Sequence, residues 1–183
     1  KKLSNNQTYF EMISNGFYSE ETLKWVGENI NRVWISYDGP KKNNDFYRIT
    51  PSGEPSTDIV LNSIEKLNEL TSVGVGLTVS ESNCNQQKKV IDELYDIGIK
   101  SVFSKAILEP VDKNDENGKW KFNIMEYAKN YLEACKYAKK LGISYLNDLV
   151  FNFDGRSPIN CRACGPTPHI TPDGYVSSCD RAY

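Results

Sequence analysis

No apolar run among the 183 residues approaches the ~20 needed to cross a bilayer. The opening stretch "KKLSNNQTYF" has basic residues but no apolar segment behind them, so it does not read as a secretory signal. An excess of one charge is also missing. The chain has 22 basic and 24 acidic side chains, a formal charge of −2, and composition gives no support to nucleic-acid binding. Soft metal ligands are few, with one histidine and five cysteines. An odd number of cysteines, three of them crowded at one end, does not resemble the disulfide framework of a secreted domain. A reducing compartment with thiolate ligands fits better. The expectation is a cytoplasmic protein with neither a nucleic-acid nor a membrane partner. What remains is ordinary for a globular chain: 39% hydrophobic and 25% charged residues, enough for one domain with a core, or one domain and a short appendage.

Hydrophobic periodicity alternates between strand and helix. "YFEMIS" is a short β-rich run closed by the turn signal Asn15-Gly16. Ser19 reads as an N-cap with Glu20 and Glu21 behind it, and Leu23, Val26 and Ile30 follow at helical spacing. "RVWISY" is a second strand ending at Asp38-Gly39-Pro40, and residues 40–56 read as a polar loop. Val60, Ile64 and Leu67 mark the next helix. "VGVGLTVS" is a third strand, whose glycines predict close approach of another backbone or a ligand. A helix with Val90, Ile91, Leu94 and Ile97 inward ends at Gly98. "KSVFSKAILEP" is a fourth strand. After a charged excursion over 112–121, Ile124, Ala128, Tyr131, Cys135 and Ala138 form the stripe of a long helix ending at Leu141-Gly142. "ISYLNDLVFN" is the fifth strand. This order predicts an α/β fold with a parallel sheet and right-handed crossovers: a small open sheet, or a partial (β/α) barrel segment of about five strands. Composition turns to Gly, Pro and Cys at Asp154, which places a domain boundary between 1–153 and 154–183.

In parallel α/β folds ligands sit outside the carboxyl ends of the strands. Those ends carry Ser14-Asn15-Gly16, Ser36-Tyr37-Asp38-Gly39, Thr78-Val79-Ser80 with Asn83, and Glu109-Pro110, a polar rim. Near the C-terminus, "CRACGPTPHITPDGYVSSCD" holds three of the five cysteines and the only histidine. Cys161 and Cys164 form C-x2-C, and "ITPDGYVSSC" reads as a hairpin turning at Gly174 that returns Cys179 toward them. Converging thiolates repel unless a cation or cluster neutralises them. Three readings stand: unliganded thiols, or a disulfide and a spare; zinc held with His169; or an iron–sulfur site. Cys135 belongs to an apolar helix stripe and reads as core. Cys84 has no assigned role.

Together these motifs resemble radical S-adenosylmethionine enzymes with a SPASM domain, of the peptide- and protein-modifying, anaerobic sulfatase-maturase-like kind. C-x9-G-x4-C (Cys164, Gly174, Cys179) is similar to the opening of a SPASM domain. "ISNG" resembles that family's T-N-G strand end. "VWISYDGP", followed by Asp45 and Arg48, resembles I-S-x-D-G-P…D-x-x-R, and "VGVGLTVSESN" resembles its next strand. The resemblance implies a partial (β/α) barrel followed by the start of an auxiliary-cluster domain. It implies S-adenosylmethionine and [4Fe-4S] clusters as cofactors, with Asn15, Ser36, Asp38, Arg48 and Thr78 near the former. It implies Cys161, Cys164 and Cys179 as ligands of an auxiliary cluster, and Asp180 as a catalytic proton acceptor. A peptide or protein substrate and an electron donor such as flavodoxin or ferredoxin are the implied partners. The C-x3-C-x2-C loop of the radical cluster and the remaining SPASM cysteines are absent from the sequence. The expectation is a middle segment of a longer oxidoreductase, inactive by itself. The alternative is a non-enzymatic, zinc-stabilised α/β binding module.

Overall fold

The computed structural model describes residues 8–107, 123–147 and 169–177. The chain separates into two compact units, Lys1–Leu146 and Asn147–Tyr183. The boundary expected at 153/154 lies outside the described residues.

In the first unit, five strands form one sheet in the order β1 (Glu11–Ser14), β2 (Arg32–Ser36), β3 (Ser72–Val79), β4 (Ser101–Ala106) and β5 (Ser144–Leu146). All four pairings are parallel, as the alternation of strands and helices predicts. The crossovers carry helices α1 (Glu20–Asn29), α2 (Lys41–Tyr47), α3 (Thr57–Leu70), α4 (Gln87–Asp96) and α5 (Ile124–Lys140).

Local signals set the helix ends. Ser19 caps α1, its hydroxyl accepting the Thr22 amide at 3.2 Å. Asn123 caps α5 in the same way, accepting the amides of Met125 and Glu126 at 3.1 Å. Gly98 and Gly142 follow α4 and α5 with φ of 80° and 71°, a conformation glycine adopts without a Cβ penalty. Alternate residues of the sheet face the helices: Val33, Ile35, Val73, Val75, Leu77, Val79 and Val102 are buried against Val60, Ile64, Leu67, Val90, Ile91 and Leu94.

Three expectations change. Residues 40–56 are not wholly loop, because α2 occupies Lys41–Tyr47. Its inward residues are Asn43 and Asn44, buried through hydrogen bonds rather than apolar contact, so hydrophobic periodicity does not reveal it. In α5 the buried stripe is Tyr127, Tyr131, Ala134 and Ala138, while Ile124 is exposed in the first turn. Cys135 is half-buried and packs against the core beside it. Among the described residues the fifth strand spans Ser144–Leu146, with Ile143 and Asn147 outside it; residues 148–152 of the expected strand, and the excursion at 112–121, lie outside the described residues.

In the second unit, β6 (His169–Ile170) and β7 (Val176–Ser177) pair antiparallel. Gly174, at φ 89°, makes the turn of the expected hairpin.

Candidate functional site

The polar rim forms where β2 and β3 end. Residues alternate across each strand, so Trp34, Ser36, Gly74, Gly76 and Thr78 share the face away from the helices. Tyr37 points the other way and is buried, its phenol donating to Glu93 of α4 at 2.9 Å. Asp38 then returns to the open face.

Asp38 is the centre of the rim. Its carboxylate accepts the Arg48 Nε–H at 2.6 Å through Oδ2 and the Thr78 amide at 2.7 Å through Oδ1. Its side chain is 8% exposed, while that of Arg48 is 30% exposed. The Asp38 backbone is held as well. Its amide donates to Asn44 Oδ1 at 3.0 Å, and its carbonyl accepts Asn43 Nδ2 at 2.8 Å and Asn83 Nδ2 at 3.1 Å.

The motif that follows has a structural logic of its own. Asp45 Oδ1 accepts the amides of Ser56 and Thr57 at 3.1 and 2.8 Å, satisfying the first turn of α3. Asn44 Nδ2 donates to Thr57 Oγ1 at 2.9 Å. Thus α2 is stapled between the end of β2 and the start of α3, which places Arg48, the residue after α2, against Asp38.

Asp38, Asn43, Tyr47, Arg48, Thr78, Ser80 and Ile107 line a cavity of about 270 Å³. Three expected site residues therefore meet at one place: Asp38, Arg48 and Thr78. Ser36 lies two residues before Asp38 on the same face, paired in register with Gly76. Asn15 does not join the cavity lining. It is exposed beyond β1, where its Oδ1 accepts the Phe17 amide at 3.0 Å. Cys161, Cys164, Cys179 and Asp180 lie outside the described residues, and of His169 only the backbone is described. Among the described residues no group of three or more His, Cys, Asp or Glu side chains is placed to hold a metal ion. Asn43, Tyr47 and Ile107 are additions that sequence reasoning missed, and Ser80 joins them from the expected polar rim. Ser80 was readable as part of a strand end, whereas Asn43 and Tyr47 were hidden in the apparent loop.

The glycines of β3 divide into two kinds. A Cβ on Gly74 would lie 2.5 Å from the Trp34 ring, so the close approach is by a side chain rather than a backbone or ligand. That ring stacks under the Arg32 guanidinium at 4.5 Å and meets Phe103 edge-on at 6.2 Å. A Cβ on Gly76 would meet only the Ile35 carbonyl oxygen, at 3.9 Å, so space stays open on the cavity's side of the sheet. Elsewhere, Cys84 is buried with Asn130 Nδ2 at 3.8 Å from its sulfur.

A cysteine-type anaerobic sulfatase-maturating enzyme of Clostridium novyi (strain NT) is 26% identical over 195 residues, covering 96% of the chain and 50% of the relative. The chain resembles the radical S-adenosylmethionine maturases. Its fold is shared by native anSMEcpe with bound AdoMet, at TM-score 0.72, 21% identity, 96% of the chain and 52% of that protein. Streptococcus suis SuiB bound to S-adenosylmethionine matches at TM-score 0.68 and 12% identity, over 93% of the chain and 42% of that protein. The expected resemblance and the partial-barrel α/β fold both hold. The chain spans about half the length of these relatives. No family model matches it. Among the described residues no helix is long and apolar enough to cross a membrane.

Proposed function

We propose that this chain is part of a radical S-adenosylmethionine enzyme with a SPASM domain, one that modifies a peptide or protein side chain. The observation that carries the reading is the meeting of Asp38, Arg48 and Thr78 at one cavity, outside the carboxyl ends of β2 and β3. The family resemblance assigns the same three residues to the cofactor's surroundings. A sequence match to a sulfatase-maturating enzyme across 96% of the chain supports it. So does the peptide bound in a structure with this fold, native anSMEcpe with bound AdoMet and Kp18Cys peptide.

The lining fits a small zwitterionic ligand. Arg48 bonds Asp38 through Nε alone, and its terminal nitrogens have no partner among the described residues, so they remain for a carboxylate. Thr78 and Ser80 add hydroxyl groups to the lining, Ser36 lies on the same sheet face as Thr78, and Tyr47 and Ile107 add apolar wall. S-adenosylmethionine held by these residues would, with a reduced [4Fe-4S] cluster, supply the 5′-deoxyadenosyl radical chemistry of hydrogen abstraction. The chain's own residues orient that ligand, hold its charged groups and exclude water from the reacting C–H bond. Cys161, Cys164 and Cys179 are proposed to hold part of an auxiliary [4Fe-4S] cluster, with Asp180 beside it as proton acceptor. Flavodoxin or ferredoxin is the proposed electron source. The boundary near residue 153 is proposed to separate barrel from cluster domain.

The test is made on the full-length protein, reconstituted anaerobically with iron and sulfide and reduced with dithionite. The reading requires bound iron and sulfide and conversion of S-adenosylmethionine to 5′-deoxyadenosine. Arg48→Ala should weaken S-adenosylmethionine binding by about tenfold or more, as expected for loss of a charged hydrogen bond. About one zinc per chain, no iron and no 5′-deoxyadenosine would favour a zinc-stabilised binding module instead.

A further inference from the structure

Asn83 sits four residues beyond the end of β3, just before the short 3-10 turn Cys84–Gln86. It is 1% exposed, and every polar atom of its side chain is engaged. Nδ2 donates to the Thr78 carbonyl at 2.9 Å and to the Asp38 carbonyl at 3.1 Å, while Oδ1 accepts the Ser80 amide at 2.8 Å. One amide thus ties the end of β2 to the end of β3. Nothing in the β-ladder does this job, because the register between these strands ends at Ser36 and Gly76, before Asp38. The Tyr37 amide still reaches the Gly76 carbonyl at 3.0 Å; beyond it the two chains are held by side chains.

We propose that Asn83 is a positioning residue for the cavity. By fixing the Asp38 and Thr78 backbones relative to each other, it sets the Asp38 carboxylate to hold Arg48 toward the cavity. The paired register ends here, and unclamped backbone carbonyls would turn to water. A buried amide that satisfies both carbonyls holds them at one spacing, and the Asp38 Oδ1 bond to the Thr78 amide requires that spacing. Asn44 supports the same aspartate from the other side through the Asp38 amide. The role for ligand binding rests on the cofactor reading above, but the clamp itself does not.

The experiment uses the full-length protein and two substitutions. Asn83→Ala removes all three bonds. Asn83→Asp keeps an acceptor for Ser80, removes both donors, and serves if the alanine variant fails to fold. Hydrogen exchange at the Thr78 amide is the direct reading, because that amide bonds to Asp38 and not to Asn83. Its exchange should accelerate relative to the Val75 amide in the same strand. S-adenosylmethionine affinity should fall by about tenfold, roughly the loss of one buried hydrogen bond. In an Arg48→Ala background the second substitution should add nothing, since Asn83 acts through Arg48. A purely structural role predicts additive losses and equal acceleration at Thr78 and Val75, and either result overturns the proposal. If Thr78 accelerates selectively but the unsubstituted protein binds no S-adenosylmethionine, the clamp stands and the cofactor reading falls.

Discussion

Against the helices, Val33, Ile35, Val75 and Leu77 stand side by side at exposures of 2% or less. On the opposite face of the same two strands are Trp34, Ser36, Gly76 and Thr78, all half-buried, with Gly74 covered by the Trp34 ring and Gly76 flanking open space. The first face is assembled from volume and non-directional burial. The rim of the second is assembled from directional bonds, with Asp38 alone making or receiving five. Burial tolerates reshaping, whereas a hydrogen-bonded rim does not, since each lost partner leaves a buried group unsatisfied. The division matches task to material: stability comes from the covered face, and placement of charge comes from the rim.

The largest test is aimed at the covered side. Tyr37, Tyr131 and Tyr145 are buried, and burial is the main cause raising each phenol above its usual 10.0. Unfolded, these phenols ionise near 10.0; folded, they stay neutral. Unfolding then releases protons, so stability is complete below about pH 10 and falls as the pH rises further. In an alkaline titration, helical circular dichroism should vanish together with the appearance of their tyrosinate absorbance. Ionisation of all three near pH 10 in a still-folded protein would contradict the packing described.

Next come two substitutions that separate the faces. Ile64→Ala, at a fully buried position of α3, should cost about 2–5 kcal/mol in a urea melt while leaving ligand affinity at the rim unchanged. Asp38→Asn should cost less, about 1–3 kcal/mol, because one neutral acceptor replaces a carboxylate shared by Arg48 and Thr78. Its main effect should fall on S-adenosylmethionine affinity. If Ile64→Ala damaged affinity as much as Asp38→Asn did, the two faces would not be separable.

The same division explains what could be read from sequence. Five strands and four of the five helices announce themselves through period-2 and period-3.6 apolar patterns, because burial on the covered face selects apolar side chains. The caps at Ser19 and Gly98 are equally legible, since their chemistry is local. From residue pattern alone the rim was legible only as polarity at strand ends, while the family resemblance pointed to Asp38, Arg48 and Thr78 individually. α2 escaped notice because "KKNNDFY" buries amides and exposes Phe46, the reverse of an apolar stripe. Ile124 departs for the opposite reason: it fits the helical period but sits in the first turn of α5, where it is 54% exposed. Asp45 stands out in the sequence only through the D-x-x-R resemblance; that it caps α3 from eleven residues away is a contact that no local pattern encodes.

The finest comparison lies within β3, between two glycines on the same face. Gly74→Ala would drive a methyl group into the Trp34 indole, whose ring is also held by Arg32, Phe103 and a hydrogen bond to Glu11. It should destabilise by about 1–3 kcal/mol, the usual cost of overpacking. Gly76→Ala meets only a carbonyl oxygen at 3.9 Å and, by restricting the unfolded chain, should change stability by no more than about 1 kcal/mol. Any functional loss at Gly76 would therefore come from filling space rather than from unfolding. Paired denaturation curves and binding isotherms for the two variants make the distinction: stability lost with affinity kept at Gly74, and the reverse at Gly76. Equal behaviour in both assays would mean that the face carries no ligand beside Ser36 and Thr78, and that the open space next to Gly76 is only a gap in the packing.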